Sequence, residues 1–143
     1  MNLGKMLAIL KSKRKTIIIY VNNYVVINKN IKRVVNDLCI LNGSSLEGRV
    51  EYSRKKLSKK YKVPIVINND LILLELSSWR KDCVLLVADK IKEYKNVGKY
   101  LKIRLDNDYL IYVKISKYKL ERLLLDYIKI INELKSENNA NFV

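Results

Sequence analysis

The chain has 143 residues, 49% of them hydrophobic, and carries 29 Lys and Arg against 14 Asp and Glu, for a formal charge of +15 with no histidine. That size and apolar content are enough for one hydrophobic core and exclude general disorder. The missing histidine removes the usual general base, the usual activator of a serine or cysteine nucleophile and the commonest zinc ligand, while the surplus charge points to a polyanionic partner, with nucleic acid first.

In chain order, residues 1–15 hold Lys5, Lys11, Lys13, Arg14 and Lys15 and no acid around Met6, Leu7, Ile9 and Leu10. Without a small-residue cleavage site they read as a basic N-terminal arm rather than a leader. Thr16–Val21 and Tyr24–Ile27 are rich in β-branched and aromatic residues and flank Asn22-Asn23, a pair that accepts tight-turn geometry, so a β-hairpin is predicted. From Ile31 to Leu41 the apolar residues Ile31, Val34, Val35, Leu38 and Leu41 recur at helical spacing, with Gly43 placed to stop the helix. Ser44 and Glu47 have capping-box spacing, and a second helix is predicted from there to Tyr61, with Leu46, Val50, Leu57 and Tyr61 on its apolar side.

Val63–Ile67 and Leu71–Leu76 flank Asn68-Asn69-Asp70 and predict a second pair of strands. Their unbroken apolarity implies a central position, with Pro64 tolerated at a strand start. Cys83–Ala88 reads as a further strand, and Leu101–Leu105 turns through Asp106-Asn107-Asp108 into Tyr109–Ile115 as a hairpin with one wet face. Lys117–Lys135 is helical, with an apolar face wider than a core contact needs and suited to a partner helix, and residues 136–143 read as a loose polar tail. The expected architecture is a single α+β domain over residues 16–135. It is built mainly of antiparallel hairpins with about three helices, the last one C-terminal.

Little here suggests catalysis. Two cysteines, Cys39 and Cys83, sit in or beside apolar runs and read as reduced, buried thiols that cannot complete a zinc site. No phosphate-cradling glycine motif is present, so no nucleotide or other cofactor is expected. No apolar run approaches the roughly 18 to 20 residues that span a bilayer. Asp70 and Glu75 lie at the two ends of one strand and could hold Mg²⁺ in a nuclease, but the lysine usual two positions after the glutamate is Ser77. The positive signal is Arg49–Lys62, where Arg49, Arg54, Lys55, Lys56, Lys59, Lys60 and Lys62 face a single acid, Glu51. A helix start rich in free amides, followed by these side chains, is chemistry for phosphate. The plain alternatives are a solvated helix face and the Lys-rich, Asn-rich composition of an A/T-rich genome.

Three blocks add to this: Gly43-Ser44-Ser45-Leu46-Glu47-Gly48-Arg49, then Lys62-Val63-Pro64-Ile65, then Leu76-Ser77-Ser78-Trp79-Arg80-Lys81-Asp82-Cys83. In their order and spacing the chain resembles the ComK family of competence transcription factors from about Thr16 to Leu134. The resemblance implies a non-enzymatic transcription activator in the cytosol of low-GC Gram-positive bacteria. Such a protein binds A/T-rich double-stranded promoter boxes through the minor groove as paired dimers, switches on DNA-uptake genes, and has RNA polymerase as a further partner. On that basis Arg49, Arg54 and Arg80 are expected to approach the groove and Lys55, Lys56, Lys59 and Lys60 to contact phosphates. Trp79 can be a core residue or a wedge between base steps. The competing functions are a nucleic-acid or RNA-binding protein without sequence preference, stacking bases on Tyr109–Val113, and a protein that takes an acidic protein partner on the same basic face.

Overall fold

A computed structural model describes the protein at residues 3–77, 79 and 82–140, the last two of these in backbone only. Nine strands, three helices and two short 3-10 turns follow in order: β1 (Met6–Ser12), β2 (Lys15–Tyr20), β3 (Tyr24–Ile27), α1 (Ile31–Leu41), α2 (Leu46–Leu57), β4 (Ile65–Asn68), β5 (Leu71–Glu75), β6 (Val84–Val87), β7 (Ile91–Val97), β8 (Tyr100–Leu105), β9 (Leu110–Val113) and α3 (Lys117–Ala140). They form a six-stranded sheet of order β3-β2-β1-β6-β5-β4 and a three-stranded sheet of order β7-β8-β9. Every pairing is antiparallel. Three helices, the last C-terminal, on antiparallel hairpin sheets make this the α+β domain that the hairpin pattern predicts.

The six-stranded sheet is the middle layer. One face carries Met6, Ile9, Ile18, Leu73 and Leu85 against the apolar stripe of α1, which is Ile31, Val34, Val35, Leu38 and Cys39. The other face presents Leu7, Ala8, Ile19, Leu74 and Leu86 to Leu101, Ile103, Leu105, Ile111 and Val113 of the second sheet and to Leu120 and Leu123 of α3. A strand covered on both sides shows no polar alternation, so its sequence carries no strand signature. The segment expected to be a basic arm is instead β1, near the centre of the sheet, with Met6, Leu7, Ala8 and Ile9 fully buried.

Other boundaries move for local reasons. Ser45, not Ser44, caps α2, its hydroxyl accepting from the Gly48 amide at 3.0 Å. Ser44 instead crowds Gly48, where an added Cβ would come within 2.5 Å of its hydroxyl. We expect Ser45→Ala to cost about 1 kcal/mol in thermal or denaturant unfolding, with Ser44→Ala costing clearly less. The helix ends at Leu57, because Ser58 turns left-handed (φ 50) and Lys59 closes back on Arg54. Tyr61 is therefore exposed and off the helix. β4 is an edge strand, not a central one; its continuous apolarity serves helix packing, with Val66 beneath Tyr52, Leu57 and Ile130. β7 was not foreseen; it is a polar edge strand held by its ladder to β8. Most of the wide face of α3 is used within the chain, since Leu120, Leu123 and Ile130 are buried and Leu124, Tyr127, Ile131 and Leu134 pack behind them, while Ile128 stays 52% exposed. The helix runs past Lys135 to Ala140, fastened by Glu137, so residues 136–140 are not a loose tail.

Both cysteines are buried and free, and burial first, then the nearby Glu75 carboxylate, pushes the Cys83 thiol up to about 12. Among the described residues no helix is long and apolar enough to cross a membrane.

Candidate nucleic-acid interface

α2 carries most of the charge that the sequence singles out, and the fold distributes that charge around three sides of the helix. Arg49 turns back under the α1–α2 connection, where its Nη2 donates to the Asn42 carbonyl at 2.6 Å. Its Nε is buried with no partner among the described residues. The guanidinium lies beneath Gly43, whose φ of +98 is a conformation that side chains other than glycine's rarely accept. Arg54 fastens the other end, pairing with Glu51 at 2.6 Å and donating through Nε to the Lys60 carbonyl at 2.9 Å. Lys56 and Lys59 reach across to α3: Lys56 lies 3.0 Å from Glu137 and 3.7 Å from Glu133, and Lys59 lies 2.6 Å from Asp126. Tyr52 donates to the same Glu137 at 3.0 Å. Burial and that hydrogen bond push the Tyr52 hydroxyl up to about 12, while the hydrogen bond from Lys56 holds Glu137 below its usual range.

Of the expected contact residues, Arg49, Arg54, Lys56 and Lys59 thus have partners inside the fold. Lys55 points to solvent, and Lys60 stands over the Tyr61 ring at 5.4 Å. Arg80 lies outside the described residues.

The larger store of unpaired charge lies beside α2. A groove of about 810 Å³ opens between α1, α2 and the β4–β5 sheet edge. Lys32, Arg33, Lys60 and Lys62 line it, over an apolar floor that includes Leu46, Val50, Val63, Ile65 and Trp79. Trp79 is half-buried, packs on the core beneath α1 and carries the Lys32 ammonium 5.7 Å from its ring, so it is a wall of the groove as well as a core residue. The groove contains two acids, Glu47 and Glu75. Desolvation raises the Glu75 carboxyl and so favours its neutral form, against the opposing pull of Lys62 and Lys32 and a hydrogen bond from Trp79. Asp70 sits in the turn at the far end of β5, so the two carboxylates considered for Mg²⁺ do not converge.

Lys62 joins this groove to a second basic hollow. There, Lys62, Lys99, Lys114 and Lys119 surround the β7–β8 turn and the first turn of α3. That turn is capped by the Ser116 hydroxyl, which accepts from the Lys119 amide at 3.1 Å, and contains no acid. A helix start with free amides, ringed by ammonium groups, favours an anion. Among the described residues none of Lys32, Arg33, Lys60, Lys62, Lys99, Lys114 and Lys119 makes an ion pair. Lys62 has φ 52, a left-handed backbone that costs a residue other than glycine roughly 1 kcal/mol or more.

A family model described as ComK protein matches residues 6–138, all but the two ends of the chain. This chain belongs to the ComK family. The resemblance carried by the glycine-serine, proline and tryptophan blocks is therefore a family membership, and with it comes the general assignment of a competence-type transcription factor. No curated protein and no solved structure matches the chain. Within this ComK-family fold, the sequence reading missed Lys32, Arg33, Lys99, Lys114 and Lys119 because they lie far apart along the chain. The available signal was local: Lys114, Lys117 and Lys119 enter a helix start with no acid before Glu121.

Proposed function

We propose that this ComK-family protein is a transcription activator that grips A/T-rich duplex DNA along the unpaired basic surface running from Lys32 and Arg33 through Lys60 and Lys62 to Lys114 and Lys119. The observation that carries the reading is the convergence of these cations in two adjoining hollows with no ion pair to any of them among the described residues, in a fold that neutralises Lys56 and Lys59 elsewhere. Cations left unpaired cost self-repulsion unless a polyanion meets them, and duplex phosphates are spaced to do so. Preference for A/T-rich boxes follows from the narrow, strongly negative minor groove of A-tracts, which attracts Lys and Arg without reading base edges. Lys55, on the outer side of α2, and Arg80 remain in this proposal as additional contacts. Dimeric binding to paired boxes, activation through RNA polymerase and a site of action in the bacterial cytosol belong to the same reading, which involves no catalysis.

One observation favours a second reading. The outer face of the three-stranded sheet exposes Tyr100 and Tyr112 around Lys102, which stands opposite Lys95, an arrangement suited to stacking single-stranded bases. Fluorescence anisotropy with an A/T-rich two-box duplex, a G/C-rich duplex and a single strand, across a salt series, separates the two. A duplex preference on the order of 10³ that persists as salt rises is expected. Equal affinity for all three, vanishing together with salt, would replace the activator reading with the second one.

A further inference from the structure

The two edges of the six-stranded sheet are treated differently by the fold. β4 is buried, with Ile65, Val66 and Ile67 nearly inaccessible. β3 is bare: Tyr24 is 67%, Val25 41% and Val26 50% exposed. Edge strands ordinarily carry Lys, Pro or a bulge that prevents another strand from adding on. β3 has none of these, and no charged residue lies between Lys15 and Lys29 in a chain whose residues are 30% charged. Two molecules of charge +15 repel each other over most approaches, so the neutral edge is where a second copy meets least resistance.

We propose that β3 pairs antiparallel with β3 of a second copy, joining two six-stranded sheets into one. The register follows from the hairpin. Tyr20 donates to the Asn23 carbonyl at 2.8 Å, and Ile19, Ile18 and Ile17 then pair with Tyr24, Val25 and Val26. Alternation along an antiparallel ladder directs the N–H and C=O of Tyr24 and Val26 away from β2, toward the free edge. The register that uses both residues sets Tyr24 opposite Val26 of the second copy and centres the two-fold axis on Val25. Each copy then gains an aromatic to β-branched cross-strand pair, and the same patch serves both sides, as an isologous contact requires.

This two-fold axis stands perpendicular to the sheet, so the α1–α2 layers of both copies lie on one side of it. Both grooves face the same way, as two boxes on one duplex require; only this consequence rests on the duplex-binding reading. A contact between two four-residue strands is smaller than the roughly 1,200 Å² of a standard interface, so the dimer is reversible and a two-box duplex strengthens it by holding two copies close together.

The test uses the full chain without DNA. Val25→Cys places two thiols across a non-hydrogen-bonded pair, where Cα atoms are about 4.5 Å apart and a disulfide fits. Under a glutathione redox buffer it is expected to give a covalent dimer on a non-reducing gel, whereas Ile40→Cys, on α1 and more exposed than Val25, stays monomeric. Val26→Pro removes an outward donor, which an edge strand tolerates, and is expected to abolish concentration-dependent dimerisation in sedimentation velocity while the circular dichroism stays native. Val26→Lys provides the same reading should the proline variant not fold. Equal cross-linking of Val25→Cys and Ile40→Cys, or dimerisation untouched by both Val26 variants, would overturn the proposal. Affinity for a single-box duplex, measured in parallel, reports separately on DNA binding: it stays at the wild-type level in monomeric variants, and its loss in the wild type would end the duplex reading without affecting the dimer assay.

Discussion

Replacing Lys60, Lys62, Lys114 and Lys119 together with alanine should weaken binding to an A/T-rich duplex by on the order of 10³ near 0.1 M salt, and should flatten the slope of log K against log salt by about 3 to 4. Each lysine that sits on a phosphate releases about one counterion, and removing four such contacts removes their shares of both affinity and salt dependence. The folded protein should tolerate the change, because none of the four makes an ion pair among the described residues and the protein loses self-repulsion. Lys56→Ala with Lys59→Ala is the matched control. These two bind Glu133, Glu137 and Asp126 on α3, so their loss should lower the melting temperature and move affinity much less. Anisotropy at several salt concentrations, with thermal melts of each variant, reads both quantities. A loss below tenfold for the quadruple variant would remove the basic surface from the account.

Arg49→Ala should reduce stability by about 2 to 3 kcal/mol, the range for losing a buried hydrogen bond from a charged group, which corresponds to roughly 5 to 10 °C in a domain of this size. The reason is where the side chain ends. Its Nη2 holds the Asn42 carbonyl, and its Nε is enclosed with no partner among the described residues. The Leu46 amide and Asn36 close the same α1–α2 connection beside it. Arg49→Lys should recover little, since a single ammonium cannot reproduce the flat guanidinium under Gly43. Duplex affinity of the folded Arg49→Ala protein should stay within about twofold of wild type. A tenfold loss of affinity with an unchanged melting temperature would put Arg49 back on the DNA, where the sequence pattern alone had put it.

These two cases show what was legible in the sequence. Hairpins announced by Asn22-Asn23 and by Asp106-Asn107-Asp108 and the helix over Ile31–Leu41 appear where turn chemistry and helical spacing put them, because those signals are local. β1 was hidden, because a strand buried on both faces shows no alternation and its Met, Leu and Ala are weak strand formers set among five basic residues. On α2 the spacing showed which residues share a side, but not that Glu133, Glu137 and Asp126 would arrive from α3 to neutralise Lys56 and Lys59. Charge that looks free along the chain can be paired in space, and charge scattered along the chain can converge. Lys32, Lys62, Lys99 and Lys114 come from four separate segments and meet only through the tertiary fold.

The central claim, that DNA lies along the surface from α1 through Lys62 to the start of α3, is tested most directly by lysine footprinting. The protein is acetylated briefly with and without a two-box A/T-rich duplex, and protection is read at each lysine by mass spectrometry. Protection is predicted at Lys32, Lys60, Lys62, Lys114 and Lys119, with Lys13, Lys95 and Lys102 modified equally in both samples. Protection centred on Lys95 and Lys102, or spread evenly over the molecule, would contradict the account.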